Sequence, residues 1–216
     1  MTNEEKSGIY LQRLTKQFGK ILAVDDISVH VGEGEFLTLL RSSGCGETSP
    51  CLGGFCGGAE GVAMQPLLWV LSASSQAISR NSHFPFFTIP KVLAGPLEPM
   101  TFYETAATVS ALVASGSHIE ALSTHKNSTV DLQTPEGPAF ASEVAHAVVG
   151  IPRKEINRIV LTLLDEYKDR IENPPRGKSY PEAYDIDAAV PFPATKKIYN
   201  EMKKKIKNKF GFKFKY

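Results

Sequence analysis

The chain has 216 residues with a formal net charge of +1, and its 42% hydrophobic and 22% charged residues suit one or two globular domains. The start, MTNEEKSG, lacks the basic region and apolar core of a secretory signal, and no apolar run reaches the roughly 18 residues of a membrane helix. Cys45, Cys51 and Cys56 are too few and too close for a disulfide framework and are interpreted as incidental thiols. A cytoplasmic protein without a membrane span is therefore expected.

The first sixty residues predict strands followed by a glycine-bearing loop. Partial alternation of apolar residues predicts strands over Ile9–Phe18 and Ile21–Val31, with a turn at Gly19 between them. Glu35–Leu40 predicts a third, compact apolar strand, and the loop RSSGCGET follows it directly. A strand, a glycine loop and a helix in this order are the context that a phosphate-binding loop requires.

Four blocks follow one another in the N-terminal residues: LTKQFGK, AVDDISV, GEFLTLL and SGCG-x-T. Together with the spacing between the first and last blocks, they resemble the start of an importer-type ABC transporter ATPase over about residues 8–61. The resemblance implies that Phe18 stacks on adenine, that Gly44 and Gly46 surround the phosphates, and that Thr48 supplies the hydroxyl on the magnesium side. Mg-ATP is the cofactor that this resemblance implies.

The nucleotide loop departs from the family pattern at two decisive positions. Arg41 occupies the place of the first glycine, and Glu47 occupies the place of the lysine that reaches the β- and γ-phosphates. A carboxylate at about 4 Å from a phosphate charge costs roughly 4 kcal/mol at an effective dielectric near 20. Pro50 and several glycines interrupt the helix that should follow. No LSGGQ-like signature or Asp-Glu strand end occurs, so the loop is a degenerate nucleotide site.

The chain changes character near residue 61. The glycine-dense segment Phe55–Met64 predicts a flexible linker. Leu67–Ile78 is apolar and predicts either a strand or a buried helix. Phe84–Val92 predicts a buried strand, which its two prolines place at a sheet edge.

The central region predicts helices and strands in alternation. Pro99 can begin a helix over Met100–Ser115, Ser117–Leu122 predicts a short strand, and Ala139–Val149 predicts a second apolar helix. Pro152–Glu172 carries an apolar stripe and predicts a long amphipathic helix. This alternation is typical of an α/β barrel or a doubly wound sheet.

Five polar residues of this region are considered as functional groups. Glu143 and His146 lie three residues apart on one helix, a spacing that can bind a metal, but no further ligands accompany them, so a structural histidine is favoured. His118 and Glu120 alternate on a strand and should share a face. Glu120, near the end of that strand, is the better candidate for a carboxylate at a barrel mouth. Glu104 lies within a helix, where packing or capping is the favoured interpretation.

The C-terminal tail is strongly basic, since residues 196–216 contain nine lysines and one acidic residue. Its apolar residues Ile198, Met202, Ile206 and Phe210 recur at helical spacing, which predicts a docking helix with a solvated lysine face. Binding to nucleic acid or an anionic membrane is the alternative. Lysine without arginine makes directed phosphate recognition the less favoured reading.

The central and C-terminal residues contain four separated blocks in this order: LAGP-x-x-x-M-x-x-YETAA, SG-x-x-x-E, F-x-x-EVAHA-x-x-G and GKS-x-x-EAYD. By these blocks, residues from about 70 to 212 resemble the C-terminal part of the archaeal monomethylamine:corrinoid methyltransferases. The resemblance implies a barrel of eight strands and eight helices. It also implies methyl transfer from methylamine to the cobalt of a corrinoid protein, with the methylamine handled by a pyrrolysine that lies upstream of this part.

The sequence therefore predicts a hybrid or truncated chain. Residues 1–61 form a small β-rich ABC ATPase-like fragment, and residues 62–216 form the end of a partial (β/α)8-type barrel with C-terminal helices. A methyltransferase-like chain that is inactive alone is the leading interpretation, and an ABC importer fragment and a non-catalytic fragment are the alternatives. No catalytic or metal residue is assigned. A corrinoid protein is the expected partner, with self-association and without nucleic acid.

Overall fold

The computed structural model describes residues 8–32, 63, 65–83, 86–120, 123–124 and 131–214. The chain divides into two compact units, Met1–Thr48 and Ser49–Tyr216. The predicted strand Glu35–Leu40 and the glycine loop after it lie outside the described residues. Among the described residues, no helix is both long enough and apolar enough to cross a membrane.

The first unit contains an antiparallel hairpin. Strand β1 (Gly8–Phe18) pairs with strand β2 (Ile21–Gly32), which confirms the two predicted strands to within a residue at their ends. Gly19, between the two strands, adopts a left-handed conformation with φ of +58°, which a side chain would oppose. Irregularities in the register interrupt the ladder, and there Arg13 forms an ion pair of 2.9 Å with Asp26.

The first four strands of the second unit are short and form parallel pairs. Strand β3 (Phe87–Thr88) pairs with β5 (His118–Ile119), and β4 (Lys91–Val92) pairs with β6 (Ser123–Thr124). Within the strands predicted over Phe84–Val92 and Ser117–Leu122, the described residues form only two-residue ladders. Pro90, which lies between β3 and β4, has no N–H to donate and contributes to the interruption.

Helix α2 (Pro99–Ala114) provides the crossover that a parallel pair requires. It begins at the predicted proline and ends just before Gly116, whose φ is +90°. Only a helix packed on every side buries most of its surface. α2 lies among α1, α3, α4 and α6, and twelve of its residues are buried: Met100, Thr101, Phe102, Tyr103, Glu104, Thr105, Ala106, Ala107, Thr108, Val109, Ser110 and Leu112.

Helices α1 (Gln65–Asn81), α3 (Glu136–Val148) and α4 (Arg153–Leu164) surround α2. The ambiguous apolar segment near residue 70 is thus a helix, and the helix predicted over Ala139–Val149 is confirmed with an earlier start.

The prediction of one helix over Pro152–Glu172 is wrong at its C-terminal end. Helix α4 ends at Leu164, and a short 3-10 helix follows at Lys168–Arg170. Tyr167 turns inward between the two and donates a hydrogen bond of 2.7 Å to the carbonyl of Ala63. The buried tyrosine therefore belongs to the core, although it does not continue the helical stripe.

The C-terminal region ends in a helix that docks on this core. A short helix α5 (Tyr180–Ala183) leads into a hairpin of β7 (Tyr184–Asp185) and β8 (Val190–Pro191), which is followed by α6 (Pro193–Phe210). The prediction of a docking helix is confirmed, because α6 buries Met202, Ile206 and Phe210 while most of its lysines stay exposed. The rings of Phe102, Phe140 and Tyr199, from α2, α3 and α6, meet edge to face, and Phe214 of the tail packs on Phe140 at a tilt.

Candidate functional site

A buried loop follows the end of strand β4 and leads into α2. It comprises Leu93–Glu98, and its residues up to Leu97 are buried. In α/β folds the loops at the carboxyl ends of parallel strands carry the functional groups. This loop, called here the β4–α2 loop, is therefore the leading candidate for part of a functional site.

The carboxylate of Glu104 holds the start of this loop. Its Oε1 accepts a hydrogen bond of 3.0 Å from the N–H of Leu93, and its Oε2 accepts one of 3.0 Å from the N–H of Ala94. Two buried backbone donors are thereby satisfied from the first turns of α2, where water cannot replace them. Of the two roles expected for Glu104, packing or capping, the structure shows burial in the packed interior, and its carboxylate binds two loop amides rather than capping a helix.

Burial gives Glu104 an unusual protonation equilibrium. Removal from water raises the pKa of its carboxyl group to about 7, although the two backbone hydrogen bonds and the charge of Arg170 act to lower it. The same burial, with the negative charge of Glu104 nearby, raises the pKa of Tyr167 well above its ordinary value. The site thus contains a carboxyl group that can change its charge near neutral pH.

The β4–α2 loop is clamped against a segment from much later in the chain, Pro175–Ser179. The N–H of Gly95 donates a hydrogen bond of 2.9 Å to the carbonyl of Pro175. The N–H of Lys178 donates one of 2.9 Å to the carbonyl of Pro96. A Cβ on Gly95 would lie 1.6 Å from the carbonyl oxygen of Arg176, so this approach requires glycine.

Side-chain hydrogen bonds fix both partners of this clamp. The hydroxyl of Thr101 donates to the carbonyl of Gly95, and so ties the loop to α2. On the other side, Ser179 and Glu182 form a capping box at the start of α5, and Arg176 forms an ion pair of 3.2 Å with Glu182. Two sequence blocks, LAGP and GKS-x-x-EAYD, therefore meet in one rigid arrangement.

His118 and Glu120, the two candidates on the strand after α2, are both exposed. Glu120 lines an open cleft of about 310 Å³, and His146 of α3 lines the same cleft. Glu143 instead forms an ion pair of 2.8 Å with Lys203 of α6, so the two residues of the predicted i, i+3 pair have different surroundings. Within the described ranges no group of three or more His, Cys, Asp or Glu residues could hold a metal.

The predicted nucleotide site cannot be compared with the structure. Gly44, Gly46 and Thr48 lie outside the described residues, and for Phe18 the structure describes the backbone of β1 alone. The stacking and phosphate-binding roles of these residues stay predictions.

Sequence reasoning missed the approach of Gly95 to Gly177. The two glycines lie in the two motif blocks, and a glycine within each block was the available signal. The contact is between backbone atoms, so the pattern of side chains in the sequence does not predict it.

Comparison with known proteins gives the family of the second unit. Residues 58–211 match the model of the family described as monomethylamine methyltransferase MtmB. Monomethylamine methyltransferase MtmB1 of Methanosarcina acetivorans is 28% identical over 139 residues, which is 64% of this chain and 29% of that protein. MtmB1 of Methanosarcina barkeri is 27% identical over the same shares.

The fold shows the same similarity. The crystal structure of the M. barkeri monomethylamine methyltransferase superposes with a TM-score of 0.64 at 24% identity, covering 71% of this chain and 34% of that one. The chain thus spans about 29% of the length of the curated relatives it matches. The family match begins at residue 58, and none of these matches supports the predicted resemblance of residues 8–61 to an ABC ATPase. By the match over residues 58–211, the chain belongs to the monomethylamine methyltransferase MtmB family.

Proposed function

We propose that this chain forms the C-terminal part of a monomethylamine:corrinoid methyltransferase, in which methyl passes from methylamine to the cobalt of a corrinoid protein. The observation that carries the proposal is the clamp between the β4–α2 loop and Pro175–Ser179. Both of its halves fall inside residues 58–211, the range of the family match.

The position of the clamp supports this function. We propose that the parallel ladders belong to a (β/α)8-type barrel, whose sites form at the carboxyl ends of the strands. The β4–α2 loop leaves strand β4 at that end, and Glu104 holds its first two amides. Glu104 is thus a positioning residue, because its hydrogen bonds hold the β4–α2 loop in place at one side of the proposed site.

The chain alone should lack turnover. Its sequence contains only standard amino acids, and it spans less than a third of its relatives. The pyrrolysine implied by the family resemblance would have to come from another polypeptide part. We further propose that the protein works in the cytoplasm with a corrinoid protein as methyl acceptor, and that unpaired strand edges favour its self-association.

Complementation of a split enzyme tests this proposal. The remaining N-terminal part of a Methanosarcina relative, with its pyrrolysine, would be mixed with this chain and a corrinoid protein, and cobalt methylation followed by absorbance. We expect no signal from either part alone and methylation from the mixture. A folded mixture that forms a complex but never methylates cobalt would refute the proposed function, and turnover by this chain alone would refute its incompleteness.

A further inference from the structure

An open groove of about 430 Å³ runs along the outer surface of the second unit between helices α1 and α4. Its floor comes from α2, where Ala111, Ala114 and Ser115 present only small side chains. The walls are mainly apolar, and the larger residues among them are Leu68, Trp69, Ile156, Val160, Leu161 and Leu164.

Large apolar side chains stand exposed at the rim of this groove. Trp69 is 71% exposed and Leu161 is 48% exposed, from opposite walls. Exposed aromatic residues beside an apolar depression are the residues that most often carry binding energy in protein interfaces. A small-residue floor also allows the backbone of another helix to approach closely, as in helix packing at 8–10 Å between axes.

The charge of the groove is one-sided. Arg153 and Lys154 line one end, and the described lining residues include no carboxylate. The guanidinium of Arg153 donates a hydrogen bond of 2.8 Å to the side-chain amide oxygen of Gln76, which carries no charge. The nearby Arg158, by contrast, forms an ion pair with Glu155. Among the ion pairs of the described residues, neither Arg153 nor Lys154 takes part.

The groove also has a direction. Because Gln76 meets Arg153, the later half of α1 lies beside the start of α4, and the two helices run antiparallel along the groove. The basic residues therefore mark one end, while Gln65 and Leu164 lie toward the other. An occupant with matching chemistry is apolar along its length and acidic at one end.

We propose that this groove docks an amphipathic helix of a partner protein, whose apolar stripe packs between α1 and α4 and whose acidic end faces Arg153 and Lys154. Helix-in-groove recognition uses apolar anchors at i, i+3, i+4 and i+7, which fit the antiparallel walls and the alanine floor. The acidic end sets the orientation and speeds the encounter.

A direct binding measurement tests the proposal with the full 216-residue chain. The probe is a labelled helical peptide of about 15 residues with leucines at i, i+3, i+4 and i+7 and glutamates in one terminal turn. Trp69 is the only tryptophan of the chain, so its fluorescence reports on the groove alone. We expect a blue shift of this fluorescence and a rise in peptide anisotropy on binding.

Variants locate the binding. The double replacement Arg153→Gln and Lys154→Gln should weaken the affinity for the peptide about tenfold, as measured by anisotropy. Trp69→Ala should weaken this affinity at least as much. Lys196→Gln with Lys197→Gln on the exposed face of α6 is the matched control and should change nothing. These residues are exposed, so circular dichroism should show each variant folded.

Three outcomes would overturn the proposal. One is equal binding of a control peptide whose glutamates are replaced by lysines, and another is equal weakening by the α6 control. The third is a blue shift of Trp69 on concentrating the protein without peptide binding, which would assign the groove to a second copy of the chain. Absence of binding up to about millimolar peptide, near −4 kcal/mol, would overturn it as well.

Discussion

Gly95 and Gly177 approach each other so closely that a Cβ on Gly177 would lie 2.3 Å from the carbonyl carbon of Gly95. No atom separates the two stretches of backbone at this point. The β4–α2 loop and the segment Pro175–Ser179 can therefore keep their hydrogen bonds only while both positions are glycine. The contact sets the relative position of two loops that arise far apart in the sequence.

Replacement Gly95→Ala should destabilise the protein by about 2 kcal/mol or more, because the new methyl group overlaps the carbonyl of Arg176 and forces the backbones apart. Urea unfolding measures the loss. Gly211→Ala is the control: Gly211 has φ of +76° but an open surrounding, so only the conformational cost of about 1 kcal/mol applies. Equal stability of Gly95→Ala and the unmodified chain would contradict the clamp.

Glu104 should make stability fall as pH rises from about 4.5 to 7. Its folded pKa of about 7 lies above the ordinary value of 4.5, so the folded state holds more protons between these limits. The contribution is complete below pH 4.5 and lost above 7, on the order of 3 kcal/mol. Glu104→Gln should remove this part of the pH dependence.

Urea midpoints at pH 5 and pH 8 measure this effect for the unmodified chain, for Glu104→Gln and for Glu172→Gln. Glu172 is exposed, so its variant should keep the pH dependence of the unmodified chain. A difference between the two pH values that survives unchanged in Glu104→Gln would show that other groups cause it.

Tyr167→Phe should cost about 1–2 kcal/mol, because the carbonyl of Ala63 would lose a buried hydrogen bond of 2.7 Å. Tyr180→Phe is the matched control. Tyr180 is half-buried, and within the described part of the chain no hydrogen bond to its hydroxyl is found. Thermal unfolding compares the two, and an equal loss in both would mean that the hydroxyl of Tyr167 contributes nothing specific.

Binding of Mg-ATP by the N-terminal loop should be absent or very weak. The expectation rests on the sequence: Glu47 replaces the phosphate-binding lysine, and Arg41 replaces the first glycine. Calorimetric titration with Mg-ATP is the measurement. Micromolar affinity that disappears in Thr48→Ala would contradict the prediction and favour the transporter interpretation of this segment.

Local patterns predicted the helices better than the strands. Helix α2 followed from Pro99, apolar spacing and Gly116, and α6 followed from Met202 and its neighbours at helical spacing. The parallel ladders pair residues that lie far apart along the chain, which no window of a few residues reveals, whereas the prolines of Phe84–Val92 indicated only a sheet edge.

The candidate site was predictable only in part. The position of Glu104 within a helix suggested packing or capping. Its hydrogen bonds from the amides of Leu93 and Ala94 depend on the path of the loop, which local sequence does not reveal. The end of α4 was missed because Tyr167 fits a helical stripe by its spacing, while tertiary packing turns it toward Ala63.

The clamp has a consequence for the order in which the protein folds during synthesis. A ribosome releases the β4–α2 loop long before it releases Pro175–Ser179, because translation proceeds from the N-terminus. Until that segment emerges, the amide of Gly95 and the carbonyl of Pro96 face solvent or a chaperone rather than their final partners. The nascent chain must therefore carry an open loop while the residues between the two segments are synthesised, and the loop can close only after Pro175–Ser179 has emerged.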